Sequence, residues 1–341
     1  MLVLPALILA TLLTACSSGS KAGQASQSNG DAVTVQSGTY VKPDQEAAPT
    51  KGHGYLALKV KIKNNGQKQT LMDTDMVLRD SKNNKVKTTM VLGDGNEFST
   101  ISDEKIAHGD STTGYIVFNI DKSQKYTLEV TPQTESDKDE PSTKVAIDPK
   151  KYSDKTDQPR QALDAYISEV FLNKKNLNYD KLVANNATTD KQQYQSATRK
   201  FLEESFDDST TDEAANKMIS EIQDVKSKKS RVKYAVKSVT PTSAEITVTP
   251  IVLKLTSLSD VVNDVEDSAQ DAADEDDDPD DVDLGAKNAV YEKFPELLAK
   301  LPIRQTDDVD IKMTKVDGKW KFDTSDDEFK LLIGDYTGEA Y

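Results

Sequence analysis

The hydrophobic period of this chain changes near Pro159, and that change decides what each half can pack into. Before it, apolar residues recur at every second position in short runs. Tyr55-Leu-Ala-Leu-Lys-Val-Lys-Ile-Lys63 alternates in this way, and Asn64-Asn65-Gly66 ends it with turn residues. Asp75–Asp80, Lys85–Val91, Thr113–Ile120 and Tyr126–Thr131 read as further strands. Turns are expected at Ser81–Asn84 and Ile106–Asp110. Short strands about ten residues apart, with no helical period among them, predict a β-sandwich over 33–148.

From Pro159 the apolar residues fall at helical spacing. Ala162, Leu163, Tyr166, Ile167, Val170 and Phe171 mark a first helix, with Thr156 or Asp157 as its cap. Tyr194, Ala197, Phe201 and Leu202 mark a second. Ala214, Ala215, Met218, Ile219, Ile222 and Val225 mark a third. Alternation returns at Arg231–Val239 and Ser243–Leu253. Val309–Val316, Asp317-Gly318 and Lys319–Phe322 then form a hairpin, because Asp-Gly between alternating runs favours a two-residue turn. Helices followed by strands predict an α+β domain over 158–335. The stretch 133–157 is rich in charge and proline. Within it 149–157 is taken as the linker, and the two regions are expected to fold independently.

These residues carry a family resemblance. Tyr55–Gly66, Leu78-Arg-Asp80, Ile106-Ala-His-Gly109 and Gly114-Tyr-Ile-Val-Phe118 resemble, in order and spacing, the telokin-like, immunoglobulin-like domain of Gram-positive surface lipoproteins. Some relatives carry paired cysteines there; this chain has none in that region. Val316-Asp-Gly-Lys-Trp-Lys-Phe322 is similar to the last strands of cystatin-like and nuclear-transport-factor-like cone folds. As a whole, 155–335 looks like the C-terminal domain of uncharacterised Gram-positive lipoproteins. The resemblance implies a binding or scaffolding module with no shared catalytic site.

The N-terminus points to a location. Residues 1–15 are almost wholly apolar, shorter than the roughly 18 residues of a membrane span and of signal-peptide length. Leu12-Leu-Thr-Ala-Cys16 resembles a bacterial lipobox. In that family the cysteine sulfur receives a diacylglycerol and the chain is cut just before it. Cys16, the single cysteine, is therefore the expected lipidation site, and 1–15 the signal peptide. No Lys or Arg precedes the apolar run, so either a start further upstream or a weak leader is expected. Residues 16–32, rich in Ser, Gly, Gln and Asn, read as a flexible tether.

Charge excludes some roles. The net charge is −15, but the run 264–283 alone holds twelve acidic residues and no basic one. Outside it, 43 basic residues face 46 acidic ones, and no basic patch speaks for nucleic acid. The acidic run offers no EF-hand register, lacking a paired Gly and Glu at the required positions. It reads as an amphipathic helix ending in a solvated acidic loop, interrupted at Pro279. No metal or cofactor is expected. His53 and His108 fall in turns, and no serine lies in a nucleophile elbow. Tyr166, Tyr194, Tyr234, Tyr291 and Trp320 read as core, or as the lining of a pocket in the cone. The Lys226–Arg231 cluster reads as a solvated helix end, or as a contact for anionic wall polymers. The expected protein is non-enzymatic, membrane-anchored through lipid, extracellular, and engaged in binding or scaffolding at the envelope. Its expected partner is an envelope protein or a wall polymer. The alternative is a small-ligand lipoprotein with a pocket in the C-terminal domain.

Overall fold

A computed structural model describes residues 24–27, 31–44, 46–91, 98–134, 142–206, 211–272 and 278–338. Cys16 and the leader lie outside the described residues. The N-terminal region comprises β1 (Gln24–Gln27), β2 (Asp31–Val41), β3 (His53–Asn64), β4 (Gln69–Leu71), β5 (Met76–Arg79) and β6 (Lys85–Val86). It continues with β7 (Glu104–Ile106), β8 (Ser111–Asp121), β9 (Tyr126–Val130), β10 (Gln133–Thr134) and β11 (Thr143–Ile147). One sheet has the order β1-β2-β3-β8 and another β11-β9-β5-β6, both antiparallel; β10-β4-β7 forms a smaller third.

The alternation read in the sequence sets the packing. Val33, Val35, Leu56, Leu58, Val60, Ile62, Ile116 and Phe118 turn one face of the first sheet inward. They meet Met76, Leu78, Leu128, Val130, Val145 and Ile147 of the second. The first half of β3 is buried on both faces, because Tyr55 and Ala57 lie in a separate small cluster with Val41, Val91, Phe98 and Val117. Its second half exposes Lys61 and Lys63 between buried Val60, Ile62 and Asn64.

The C-terminal region opens with α1 (Gln158–Tyr166), which runs on into a π-helical turn at Ile167–Phe171. Then come α2 (Tyr179–Leu182), α3 (Ala187–Ser205), α4 (Asp212–Lys229), β12 (Arg231–Val239) and β13 (Ser243–Leu253). After these follow α5 (Leu258–Gln270), α6 (Pro279–Lys300), β14 (Ile303–Gln305), β15 (Val309–Val316), β16 (Lys319–Phe322) and α7 (Asp327–Thr337). The sheet order is β12-β13-β15-β16, with β14 pairing the far end of β13. Asp317 and Gly318, both at positive φ, make the β15–β16 turn between the paired Val316 and Lys319. Asn186, Thr211, Asp278 and Asp326 cap α3, α4, α6 and α7 through their side-chain oxygens. α1, the π turn, part of α3 and α7 pack with the sheet in one core. The end of α3, α4, α5 and α6 share a second.

Several boundaries differ from those read in the sequence. β1 lies within the expected tether and β2 starts at Asp31, because the four residues of β1, three of them polar, pair with Ala32–Val35. Polar alternation gave no sign of a strand that exists by pairing. The expected linker 149–157 begins with a 3₁₀ turn at Pro149–Lys151 and places Tyr152 in the N-terminal core. The acidic run is not one loop. α5 continues to Gln270, and Pro279 starts α6 instead of ending a helix, since its missing N–H costs nothing at a first turn. Asp280 and Asp281 then lie in the first turn, where the helix dipole favours negative charge. Asp157 is the N-cap residue of α1, but its carboxylate binds the Arg160 and Gln161 side chains instead of the backbone.

The two regions also meet directly. Lys42 and Val239 exchange backbone hydrogen bonds of 2.9 and 2.8 Å, so β2 and β12 are joined across the junction. The Lys42 ammonium donates to the carbonyls of Lys237 at 2.7 Å, Glu46 at 3.1 Å and Pro43 at 3.2 Å.

Candidate functional site

The sheet-backed core of the C-terminal region is filled by aromatic rings. The Tyr166 ring centroid lies 5.6 Å from Phe171, 5.0 Å from Phe322 and 5.4 Å from Phe329. The π turn delivers Phe171 against Tyr194 at 5.5 Å and Tyr336 at 4.8 Å. Tyr166, Tyr194 and Trp320 are therefore core residues, and Tyr234 packs against them from β12. Tyr291 belongs to the other core, beside Phe206 and Phe294. The five aromatics taken from the sequence do not line a common pocket.

Polar groups are built into this aromatic core. Lys226 is wholly buried, and its ammonium donates to the Tyr336 carbonyl at the end of α7 and to the Tyr194 hydroxyl at 3.3 Å. Burial, with no carboxylate beside it, pulls this amine down to about 7. Lys226 is thus no part of a solvated cluster. Ile222 and Lys226 are four apart on α4, so Lys226 continues the apolar stripe of Met218, Ile219 and Ile222. That spacing was the available signal. Its neighbours are committed too: Lys228 pairs with Asp224 at 2.6 Å, and Lys229 donates to the Ala299 carbonyl at 2.5 Å. In the first turn of α3, burial raises the Asp190 carboxyl, partly offset by hydrogen bonds from Tyr166 and Asn185.

Two further polar pairs flank this core, one between α1 and β12 and one between α7 and the end of β14. The Tyr234 hydroxyl donates to Asp164 at 3.2 Å. Thr306 donates to Asp335 at 2.8 Å, and Arg304 stands 3.9 Å from the same carboxylate. Burial raises Asp335, and it raises the Tyr234 and Tyr336 hydroxyls far above the usual phenol range. The Tyr336 hydroxyl is enclosed and has no hydrogen-bond partner. An unsatisfied buried hydroxyl costs about 1–3 kcal/mol. These pairs join residues 70 and 29 positions apart, so no local spacing marks them.

Two surface clefts lie apart from these groups. One of about 190 Å³ lies along β8, between Thr88, Met90, Ile101, Tyr115 and Val117. Another of about 170 Å³ lies between α3, α5 and α6, lined by Phe206, Asn263, Glu266, Asp283, Lys287 and Tyr291. His53 and His108 are exposed; His53 bonds Thr50 and His108 bonds the Gly66 carbonyl. Among the described residues, no group of three or more His, Cys, Asp or Glu side chains is placed to hold a metal ion. Among them, too, no helix is long and apolar enough to cross a membrane.

The region that gathers these polar groups matches a family profile. Domain of unknown function DUF5105 covers residues 149–335, more than half of the chain. The chain belongs to the DUF5105 family. A second profile, domain of unknown function DUF4352, matches residues 20–141 in the β-rich region. The uncharacterized lipoprotein YcdA of Bacillus subtilis is 25% identical over 350 residues, which span 94% of this chain and 93% of YcdA. The crystal structure of the B. subtilis ycdA protein superposes with a TM-score of 0.70 at 22% identity, covering 92% of this chain and 98% of that one. That likeness carries the fold: a β-rich region followed by an α+β region. In this DUF5105 member the buried Lys226 and the Tyr234–Asp164 and Thr306–Asp335 pairs all lie inside the matched segment.

Proposed function

We propose that this DUF5105 protein is a lipid-anchored protein of the extracellular face of a Gram-positive membrane, with a non-catalytic binding or scaffolding role. The Leu12–Cys16 lipobox carries the reading, and the lipoprotein relative matching along almost the whole chain supports it. Two acyl chains on Cys16 would give stable anchoring where one is marginal. The β-rich region then acts as an immunoglobulin-like sandwich, and the α+β region as a closed cone of the cystatin-like or nuclear-transport-factor-like kind. The aromatic filling of the cone supports scaffold over catalyst, because the rings occupy the space a substrate would need. Envelope proteins and wall polymers are the expected partners. Cys16→Ala tests the anchor: fractionated cells should release the protein or accumulate uncut precursor. Unchanged membrane retention with cleavage at another site would overturn the assignment.

A second reading, a small-ligand lipoprotein, is favoured by one observation. The Tyr336 hydroxyl is enclosed in the C-terminal region without a hydrogen-bond partner.

A further inference from the structure

The strand β3 changes character along its outer face. Over its first half that face is closed by Val91 and Phe98, which pack with Tyr55 and Ala57. Beyond it, Lys61 and Lys63 are exposed and Lys59 is half-buried, at every second position of the strand. Their side chains therefore share one face in single file, about 6.8 Å apart.

The fold gains nothing from this row. Lysines on an edge strand prevent unwanted pairing, but β3 lies inside its sheet between β2 and β8. Acidic cross-strand neighbours would offset the repulsion among three like charges. Instead Thr34 and Thr113 flank Lys61, and Ser111 stands beside Lys63. Among the described residues, no carboxylate forms an ion pair with any of the three. Lys122, Lys191 and Lys287, by contrast, hold Asp154, Glu169 and Asp283.

Shape and charge select the occupant. The row is one lysine wide and bordered by hydroxyls, which suits a linear anion. Membrane-binding patches gather about 4–8 basic residues, more than this face offers. The lysine period is two residues of extended backbone. A phosphodiester chain with three-carbon spacers repeats over the same number of bonds, so successive phosphates fall in step with successive lysines. Nucleic acid shares that repeat, but its bases need aromatic faces to stack on. Tyr115, across from Lys59, is already taken by the Phe98 ring at 4.6 Å and the Lys59 ammonium at 5.6 Å. With a net charge of −15 the whole chain repels polyanions, so attraction has to come from a local row.

We propose that Lys59, Lys61 and Lys63 form a track for a linear, base-free phosphodiester polyanion. The three ammonium groups meet successive phosphates, and the hydroxyls of Thr34, Thr113 and Ser111 donate to phosphate oxygens beside them. The inference rests on the binding reading and names the chemistry of the partner.

The test uses the full chain and a fluorescently labelled poly(glycerol phosphate), followed by anisotropy as salt is raised. Saturable binding is expected at low salt, with log K falling against log salt at a slope of about −2 for three phosphate contacts. Lys59→Gln, Lys61→Gln and Lys63→Gln together should weaken it about ten-fold or more and remove most of that slope. The melting temperature should not move. Arginine at the same three positions should retain binding. A control triple, Lys200→Gln, Lys217→Gln and Lys300→Gln, removes the same charge from the helical region and should leave binding intact. Equal losses in both triples overturn the track, because net charge alone would then act. Absence of binding by the parent overturns it too. Phosphatidylglycerol vesicles or oligothymidylate bound more tightly than the polymer, with the same lysine dependence, would assign the row to a membrane or a nucleic acid and overturn the polymer. These variants leave Cys16 in place, so failure of the track and failure of the anchor in the fractionation test are read separately.

Discussion

Replacing Lys226 with Met should stabilise the C-terminal region. The ammonium is wholly enclosed, no carboxylate neutralises it, and burial draws it from 10.5 down to about 7. A fall of that size corresponds to a burial cost of about 4–5 kcal/mol below neutral pH. Against this stands the lost donor to the Tyr336 carbonyl, about 1–3 kcal/mol. Met fills the same channel with a flexible apolar chain. The net gain should be about 2 kcal/mol at pH 7. The sign with pH follows from the lowered value. Between about 7 and 10.5 the unfolded chain holds one proton more than the folded one, so parent stability rises with pH. The slope approaches about 1.4 kcal/mol per pH unit. Below 7 both states are charged and the slope vanishes. Urea unfolding from pH 6 to 9 measures this. Trp320, the single tryptophan, lies in the same core and reports on this region alone. The window stops at 9 because unfolded tyrosines titrate above it. A parent curve flat between pH 7 and 9, or a Lys226→Met variant less stable than the parent at pH 7, would refute the reasoning.

In the N-terminal region, a Cβ on Gly38 would stand 2.6 Å from Tyr152 Cε1 and 2.7 Å from Cδ1. Gly38→Ala should cost about 1–3 kcal/mol by overpacking, seen by calorimetry as a lower first transition; an unmoved transition would count against the contact. Burial opposes the charge of Glu129, yet Arg79, Ser142 and Lys144 together hold its carboxyl below the usual range. Its contribution is therefore present above the ordinary carboxylate range and is lost as pH falls through its folded value. Glu129→Gln should remove about 1–2 kcal/mol at pH 7 and flatten the acid limb of the stability curve. An acid limb as steep as the parent's would contradict the pairing.

Pattern and burial agree wherever one face of an element decides its place. Tyr55–Lys63, Met218–Ile222 and the Asp317-Gly318 turn were legible because period and turn chemistry are local. β1 was not, since its polar residues become a strand only by pairing with β2. α6 was missed because Pro279 looks like a breaker until Asp278 caps it. Lys226 was misread because lysine ordinarily marks solvent, although its spacing from Ile222 placed it inside. The Tyr234–Asp164 and Thr306–Asp335 pairs were invisible for a further reason. Each joins a helix to a distant stretch of the sheet, and no sequence spacing encodes such a meeting.

The Lys42–Val239 pair has a mechanical consequence. β2 pairs with β3 along its whole length, so a pull along β2 loads those bonds in shear and breaks them together. Lys42 follows β2 directly and holds Val239 by two backbone bonds. If the chain is tethered ahead of β1 and dragged at its far end, the force reaches this small clasp by the same strand. Two backbone bonds and the Lys42 ammonium's bond to Lys237 make that clasp much shorter than the β2–β3 ladder. The two regions could then swing apart on the segment after Tyr152 while both cores stay intact. Tension on such a molecule would lengthen it before unfolding either core.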